Sequence, residues 1–337
     1  MKKTKLSICI PTYNRAVHLA NCLESLTKNE ERYLNQISVC VSDNCSKDDT
    51  EDVILKYSKK LPLIFSKNKE NIGIPRNFLK VVDMSDSEYV WLIGDDDLFL
   101  DNSIKRVLEL IEKNSDVDFF YVNSFHLDTS FIDKFEKPFD TKYLPKDMER
   151  FSKWDFDGKL KFFDLIKSNV SFDFLGGMFL SVFKKSNWDN HKHNLNQEAI
   201  HSDKTFSHFD NTFPHLKIFS SAFSSSNAYF NSKPMNVCLT GAREWSPMEH
   251  FVRNIRLIEA LESYRKNGLP FFQYHLCRNS GLSNFVPGFA YMLFNKKISG
   301  YEHIENPLKI ILKNSIYPNF YISIFRFIIR KIKQIFE

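Results

Sequence analysis

Three carboxylates in a row, Asp95, Asp96 and Asp97, follow five apolar residues (89–93) and one glycine, Gly94. The apolar run is rich in aromatic and β-branched types and reads as a buried strand. The acids therefore stand at a strand's carboxyl end. Three adjacent carboxylates repel one another and are costly to desolvate, and a divalent cation among them reverses that balance. A hard, partly hydrated cation also takes phosphate oxygens. The first chemistry implied is a metal-bridged nucleoside diphosphate at a strand tip. The same acids also suit a solvated turn before a helix over Ser103–Lys113, with Asp101 or Asn102 as its N-cap.

The elements that must position these acids repeat a pattern. Residues 6–10 form a first apolar strand, closed by a turn at 11–15 and followed by a helix over 16–28 with Leu19, Cys22, Leu23 and Leu26 on one face. Residues 37–41 form a second strand ending in Ser42, Asp43 and Asn44, and a polar turn at 46–50 opens a helix to about residue 59. A third strand (61–65), a loop at Asn71, Ile72 and Gly73, and a helix with Pro75 in its first turn lead to the strand that carries the acids. A helix and a strand over 118–123 follow. Short connections between alternating strands and helices predict a mainly parallel sheet with helices on both faces. Ligands bind such sheets at the carboxyl ends of the strands. The segments 11–15, Asp43, 71–73 and 95–97 all fall on that edge.

Several classes are excluded. No GxGxxG follows the first strand, and neither GxxxxGK[ST] nor GxSxG occurs, which argues against a dinucleotide-dependent dehydrogenase, a P-loop enzyme and an α/β-hydrolase. The net charge of +5 lies wholly in residues 296–337, which hold 8 basic and 3 acidic residues. The balanced remainder argues against a general nucleic-acid surface. Six cysteines without CxxC spacing read as reduced core residues of a cytoplasmic protein, with no structural zinc. The apolar run after Lys2, Lys3 and Lys5 is too short for a signal peptide, and no run reaches the ~18 apolar residues of a membrane span.

Four segments in order, Ser7-Ile8-Cys9-Ile10-Pro11-Thr12-Tyr13-Asn14-Arg15, Val41-Ser42-Asp43-Asn44-Cys45-Ser46-Lys47-Asp48-Asp49-Thr50, Asn71-Ile72-Gly73 with Arg76-Asn77, and Gly94-Asp95-Asp96-Asp97, resemble the family 2 glycosyltransferases of GT-A fold. The resemblance covers roughly residues 5–125. It implies an α/β, Rossmann-like catalytic domain over 1–245, with a nucleotide-sugar half (1–125) and an acceptor half (126–245), and a helical C-terminal extension over 246–337. It also implies a nucleotide-sugar donor (UDP-sugar by default), Mn²⁺ or Mg²⁺, and direct transfer with inversion to a glycan or lipid-linked hydroxyl in capsule, lipooligosaccharide or O-antigen synthesis. Carried over by position, Pro11, Thr12 and Tyr13 line the base and ribose. Asp43 bonds the base, and Asn71, Gly73 and Asn77 complete the pocket. Arg15 belongs to the donor pocket, Arg76 lies near the phosphates or else is a solvated helix residue, Asp96 is the metal ligand, and Asp95 or Asp97 assists. The family motif's first acid is Gly94 here. Tyr13 also suits a turn aromatic packed on the first helix, and Asp43 an N-cap.

Beyond residue 125 the resemblance fades, and the site readings there are what it implies segment by segment. Residues 128–160 read as a long loop or lid, and residue 162 begins a helix. Gly176 and Gly177 stand where the family approaches acceptor or donor sugar closely. An inverting transferase needs one general base, and the candidates are Glu198, Asp203, Asp210 and His215; Asp210 is preferred, then Asp203, then His215, because residues 209–215 most resemble the equivalent segment of close relatives. The bland alternatives are an N-cap for Asp210 and a satisfied, partly buried histidine for His215. Arg243 and Trp245 sit in a segment that resembles a donor-covering loop, or else a surface turn. Residues 251–264 read as a helix. The tail over 310–336 reads as a basic amphipathic helix on an anionic bilayer at the inner face of the cytoplasmic membrane, as a docked helix with a wet face, or as a dimer contact. The competing functions are a non-catalytic scaffold of the same fold and, more remotely, a sugar nucleotidyltransferase.

Overall fold

The computed structural model describes residues 4–241 and 246–336. Ten strands form one sheet among the described residues: β1 Leu6–Thr12, β2 Ile37–Asp43, β3 Leu63–Lys67, β4 Tyr89–Leu92, β5 Leu98–Phe99, β6 Phe119–Asp128, β7 Glu149–Arg150, β8 Gly158–Lys161, β9 Ser181–Lys184 and β10 Asn227–Thr240. Their spatial order is β3-β2-β1-β4-β9-β6-β10-β5, with β7 on β6 and β8 on β10. β3, β2, β1 and β4 run parallel. That agrees with their sequences: Ile8, Cys9, Ile10, Val39, Val41 and Trp91 are all buried, as expected of strands covered on both faces. β9 enters antiparallel between β4 and β6. The short strand that follows the acids, β5, pairs antiparallel with β10. Neither pairing leaves a local signature, because both join segments far apart in sequence.

The chain divides into two compact units. One holds residues 1–165, 177–194 and 225–242, and therefore the whole sheet; the other holds 166–176, 195–224 and 243–337. The units do not follow a single cut after residue 245. Within the second unit, the Ile166 carbonyl accepts from Gln273 Nε2 at 2.9 Å and from Cys277 Sγ at 3.1 Å. Buried Arg256 donates to the Phe206 and Ser207 carbonyls at 3.0 and 2.7 Å. Those bonds tie the two shorter segments to the C-terminal helices. The core of this unit is aromatic and aliphatic: Phe251, Leu282, Phe285, Phe289, Met292 and Phe320.

Three local expectations are corrected and one is sharpened. Residues 128–160 are largely irregular, as a long loop would be, but they are tied to the sheet: β7 pairs with β6, β8 pairs with β10, and Phe139 is fully buried beside Leu98 and Val237. Residues 162–165 make a 3-10 turn rather than a helix start, because Phe162 N donates to the Ser226 carbonyl at 3.2 Å and holds the chain to an edge. The helical run after residue 248 is interrupted by a π-helical turn at Val252–Arg256 before Leu257–Lys266. The tail is two helices, Pro307–Asn314 and Pro318–Phe336, since proline opens a helix but does not continue one. No helix among the described residues is long and apolar enough to cross a membrane.

Candidate active site

The acid loop is built by β4 and by the turn after β1. Ile93 N donates to the Cys9 carbonyl at 3.0 Å and holds the end of β4 to β1. Gly94 N donates to Asp97 Oδ2 at 3.0 Å, and Asp97 N donates to the Gly94 carbonyl at 3.2 Å, so the turn closes on itself. Thr12 Oγ1 donates to Asp95 Oδ2 at 2.8 Å. Arg15 reaches two carboxylates at once: Nε lies 3.1 Å from Asp95 Oδ1 and Nη2 lies 2.8 Å from Asp96 Oδ2. Burial pushes the Asp95 carboxyl up to about 7; Arg15 opposes the shift and Asp96 adds to it. Gly94 has a steric reason. A Cβ there would lie 2.7 Å from Asp96 Oδ1 and 3.1 Å from Asp97 Oδ2, so any side chain at 94 would displace these carboxylates.

A second cluster lies one strand over. Thr12 is in register with Asp43, at a strand spacing of about 4.8 Å, and its hydroxyl bonds Asp95, so one residue links the two carboxylates. Asp43 is fully buried. Its Oδ1 accepts from Ser46 N at 2.9 Å and from Ser46 Oγ at 2.5 Å. Its Oδ2 accepts no hydrogen bond among the described residues. Asn14, at φ 51, fixes the turn that carries Tyr13: its N donates to Ser46 Oγ and its Oδ1 accepts from Lys47 N, both at 2.7 Å. Tyr13 itself is 40% exposed. Asp48 accepts from Ala16 N at 2.9 Å and from Thr50 Oγ1 at 2.6 Å, capping two helices together.

Asn71, Gly73, Arg76 and Asn77 form the third wall. The Asn77 amide is wholly engaged: Oδ1 accepts from Ser42 Oγ at 2.7 Å and Asn68 Nδ2 at 3.1 Å, and Nδ2 donates to the Ser42 carbonyl at 3.0 Å. Asn71 Oδ1 accepts from Asn44 Nδ2 at 2.7 Å and from Gly73 N at 2.9 Å, with Gly73 at φ +83. Arg76 Nε donates to the Ile72 carbonyl. These groups shape the loop through bonds inside the protein. The sequence marks Ser46 and Asp48 only as part of a helix-opening turn, and gives Asn14, Asn44 and Asn68 no role as supports of the site. The first four lie inside the motif stretches themselves, and only Asn68 lies outside them.

The second unit holds the candidate bases. Asp210 is buried on the short helix Phe209–Thr212, and its Oδ2 accepts from Asn196 N at 2.7 Å. Asp210 N donates to His208 Nδ1 at 3.0 Å. Asp203 and Glu198 are exposed. His215 is buried, with Nε2 3.1 Å from the Gly176 carbonyl, and burial lowers its pKa to about 4. A base that weak gains little by taking a proton. Gly176 answers to packing, because a Cβ there would lie 3.1 Å from the Asp173 carbonyl and 3.2 Å from Leu257 Cδ2. Gly177, in the first unit, has an ordinary extended conformation at φ −74. Arg243 and Trp245 lie outside the described residues.

Among the described residues no three His, Cys, Asp or Glu side chains form a ready cage for a metal. Mg²⁺-like cations need less than that, since one or two carboxylates plus water and phosphate oxygens suffice. The acid loop offers that donor set, all hard oxygen, with Asp96 partly exposed. The residues fit such a cation.

Residues 7–181, more than half of the chain, match the model of Glycosyl transferase family 2. The abequosyltransferase RfbV of Salmonella typhimurium is 27% identical over 237 residues, which are 69% of this chain and 66% of that protein. The chain spans well under half the length of other curated relatives that it matches. The crystal structure of S. aureus TarS 1-349 in complex with UDP superposes with a TM-score of 0.55 at 15% identity, over 83% of this chain and 71% of that one. The mannosyltransferase PcManGT from Pyrobaculum calidifontis, in complex with GDP-Man and Mn²⁺, gives 0.53 at 12% identity, over 95% and 83%. At these identities the structural likeness is one of fold.

Proposed function

The chain belongs to glycosyl transferase family 2, and from that premise we propose that it is a metal-dependent inverting transferase, moving a sugar from a nucleoside-diphosphate sugar, UDP-linked by preference, to a hydroxyl of a glycan or lipid-linked acceptor. The observation that carries the reading is the position of Thr12, in register with Asp43 and bonded to Asp95. It joins a buried carboxylate oxygen suited to a base N–H to an acid loop suited to a diphosphate. Asp43 Oδ2 accepts the base, Tyr13 covers it, and Asp95 takes the ribose side. Arg15 balances charge beside Asp95 and Asp96, and Arg76 and Arg243 are the further cations of the diphosphate pocket. A divalent cation on Asp96 would supply charge neutralisation to the departing diphosphate.

Asp210 is the proposed base that deprotonates the acceptor hydroxyl. Asp203 is the second choice. Gly177 and Trp245 belong to the acceptor side. The products belong to surface glycan synthesis (capsule, lipooligosaccharide or O-antigen). The chain works in the cytoplasm, peripheral on the inner face of the membrane, and a homodimer is compatible with its apolar helices. The UDP complex of TarS and the GDP-Man and Mn²⁺ complex of PcManGT support a nucleotide donor and a cation by analogy of fold. Gly94 does not favour the scaffold alternative, since the carboxylates themselves occupy the space of a side chain.

The test is calorimetric titration with UDP, GDP, CDP and dTDP, each with Mn²⁺, with Mg²⁺ and with EDTA, on the wild type and on Asp96→Ala. Metal-dependent binding of one nucleotide, lost in Asp96→Ala, is the expected result. No binding under any condition would turn the reading to a scaffold.

A further inference from the structure

Apolar side chains are exposed unevenly. Of the large hydrophobic residues with substantial exposure among the described residues, most lie between Phe271 and Ile332. The densest group is on the last helix, Pro318–Phe336. One side of this helix packs inward: Phe320 contacts the Phe285 ring at 5.6 Å, and Ser323 Oγ accepts from Val286 N at 3.2 Å. The other side carries Tyr321, Ile322, Phe325, Ile328, Ile329 and Ile332, with Phe325 66% and Ile329 54% exposed. At 100° per residue these six span an arc of roughly 120° with no charge in it. A helix that is apolar on both sides is not a solvated surface helix, and one continuous face of this kind marks an interaction site.

The charges identify the occupant. The helix has no acidic residue. Arg326 stands about 40° and Arg330 about 80° beyond the bare arc, on one flank, and both are steadied by the protein: their Nη1 atoms donate to the Ser283 carbonyl at 3.1 Å and to Asn284 Oδ1 at 3.4 Å. In a two-fold pair of copies this face would bring arginines together with no carboxylate on either helix to answer them. An anionic lipid surface supplies both partners, hydrocarbon for the arc and headgroup phosphate for its basic flank. We propose that the outer face of Pro318–Phe336 is a bilayer-insertion surface. Its apolar arc sinks to the level of the acyl chains, and the flank that carries Arg326 and Arg330 faces the headgroup phosphates. The helix is docked at its start. Asn319 N and Nδ2 bond Asn279 at 2.9 Å each, and His275 Nδ1 lies 2.7 Å from Tyr317 Oη. The surface is therefore a preformed ridge. The inference rests on the membrane part of the reading above and not on the donor chemistry.

The experiment uses the full chain with vesicles of phosphatidylcholine alone or with phosphatidylglycerol. Wild type co-sediments with the anionic vesicles, Phe325→Glu/Ile329→Glu loses at least tenfold in partition, and Arg326→Gln/Arg330→Gln loses less and becomes less salt-sensitive. Phe325→Trp guards against a variant that misfolds: its emission shifts to the blue on anionic vesicles and is quenched by brominated acyl chains. Equal sedimentation of the double-glutamate variant, or an emission of the Phe325→Trp variant that vesicles leave unshifted, overturns the proposal. So does a wild-type dimer in light scattering that Phe325→Glu/Ile329→Glu dissociates while no vesicle binding is seen. Nucleotide titration of the same samples separates the two readings, since a chain that binds nucleotide but no vesicle sinks only this one.

Discussion

The two units of this chain handle polar groups in opposite ways. At the sheet edge, polar residues are buried and bonded to one another. Thr12 bonds Asp95, Arg15 holds Asp95 and Asp96, Ser46 holds Asp43, and Asn77 ties Ser42 to the next helix. In the helical unit, position is set by apolar packing around Phe251, Phe285 and Phe289, with a few buried polar groups such as Asp210 and His215 held by backbone partners. Backbone that ends a strand leaves unpaired groups that short Asx and hydroxyl side chains can satisfy locally. Helix surfaces have no such need. The first unit is therefore pre-organised by hydrogen bonds, and its site should fail through chemistry. The second should fail through burial.

The largest break should come from Asp96→Ala. We expect turnover, followed by nucleoside diphosphate release, to fall about 10³-fold or more while thermal unfolding stays close to wild type. A comparable loss of stability instead would mean that the acid loop is structural. The next effect concerns His215 and acid. Its folded pKa of about 4 lies below the ordinary 6.5. The unfolded chain thus binds the extra proton between those values. The stability from burying neutral His215 is complete above pH 6.5, falls as pH drops from there to about 4, and is flat below. The span corresponds to about 3 kcal/mol. Melting temperature against pH, for wild type and His215→Gln, should show this slope only in the former.

Asp210→Asn should lower kcat by about 10² with little change in donor KM, while Asp203→Asn, on an exposed side chain, should stay within about twofold. If the two variants behaved alike, Asp210 would be a cap and not a base. Asn77→Ala removes the acceptor of Ser42 Oγ, one of two acceptors of Asn68 Nδ2 and a donor to the Ser42 carbonyl, and should cost about 2 kcal/mol in urea unfolding. Gly94→Ala should be the mildest, a weakening of metal-dependent nucleotide binding by about tenfold or less with stability nearly unchanged, because only Asp96 and Asp97 must shift. If Gly94→Asp raised activity, the steric account of Gly94 would be wrong.

Legibility followed the same division. The strand-helix alternation and the four edge motifs were readable because each is local: a β-run, a turn and a cap lie within about ten residues. Asn14, Ser46 and Asp48 could have been found from the same stretches, since Asx and hydroxyl residues beside a strand end are capping groups. The pairing of β9 and of β5 was not readable, nor was the gathering of 166–176 and 195–224 with the C-terminal helices. These depend on contacts between residues far apart in the chain.

Sequence alone determined the parallel first half, the acid loop at a strand tip and the family, because periodicity, turn chemistry and motif order are properties of neighbouring residues. The tertiary structure decided which polar groups support the loop and which remain open to a ligand. It showed that Asn77 is spent on Ser42 while Asp43 keeps one oxygen, and that Gly94 is demanded by Asp96. It also tied Arg326 to the Ser283 carbonyl and Arg330 to Asn284 on an exposed flank of the last helix, and left the apolar face of that helix bare. Those outcomes depend on burial and on partners that only folding brings within a few ångströms, where a carboxylate, an amide or an isoleucine meets the neighbour that gives it a role.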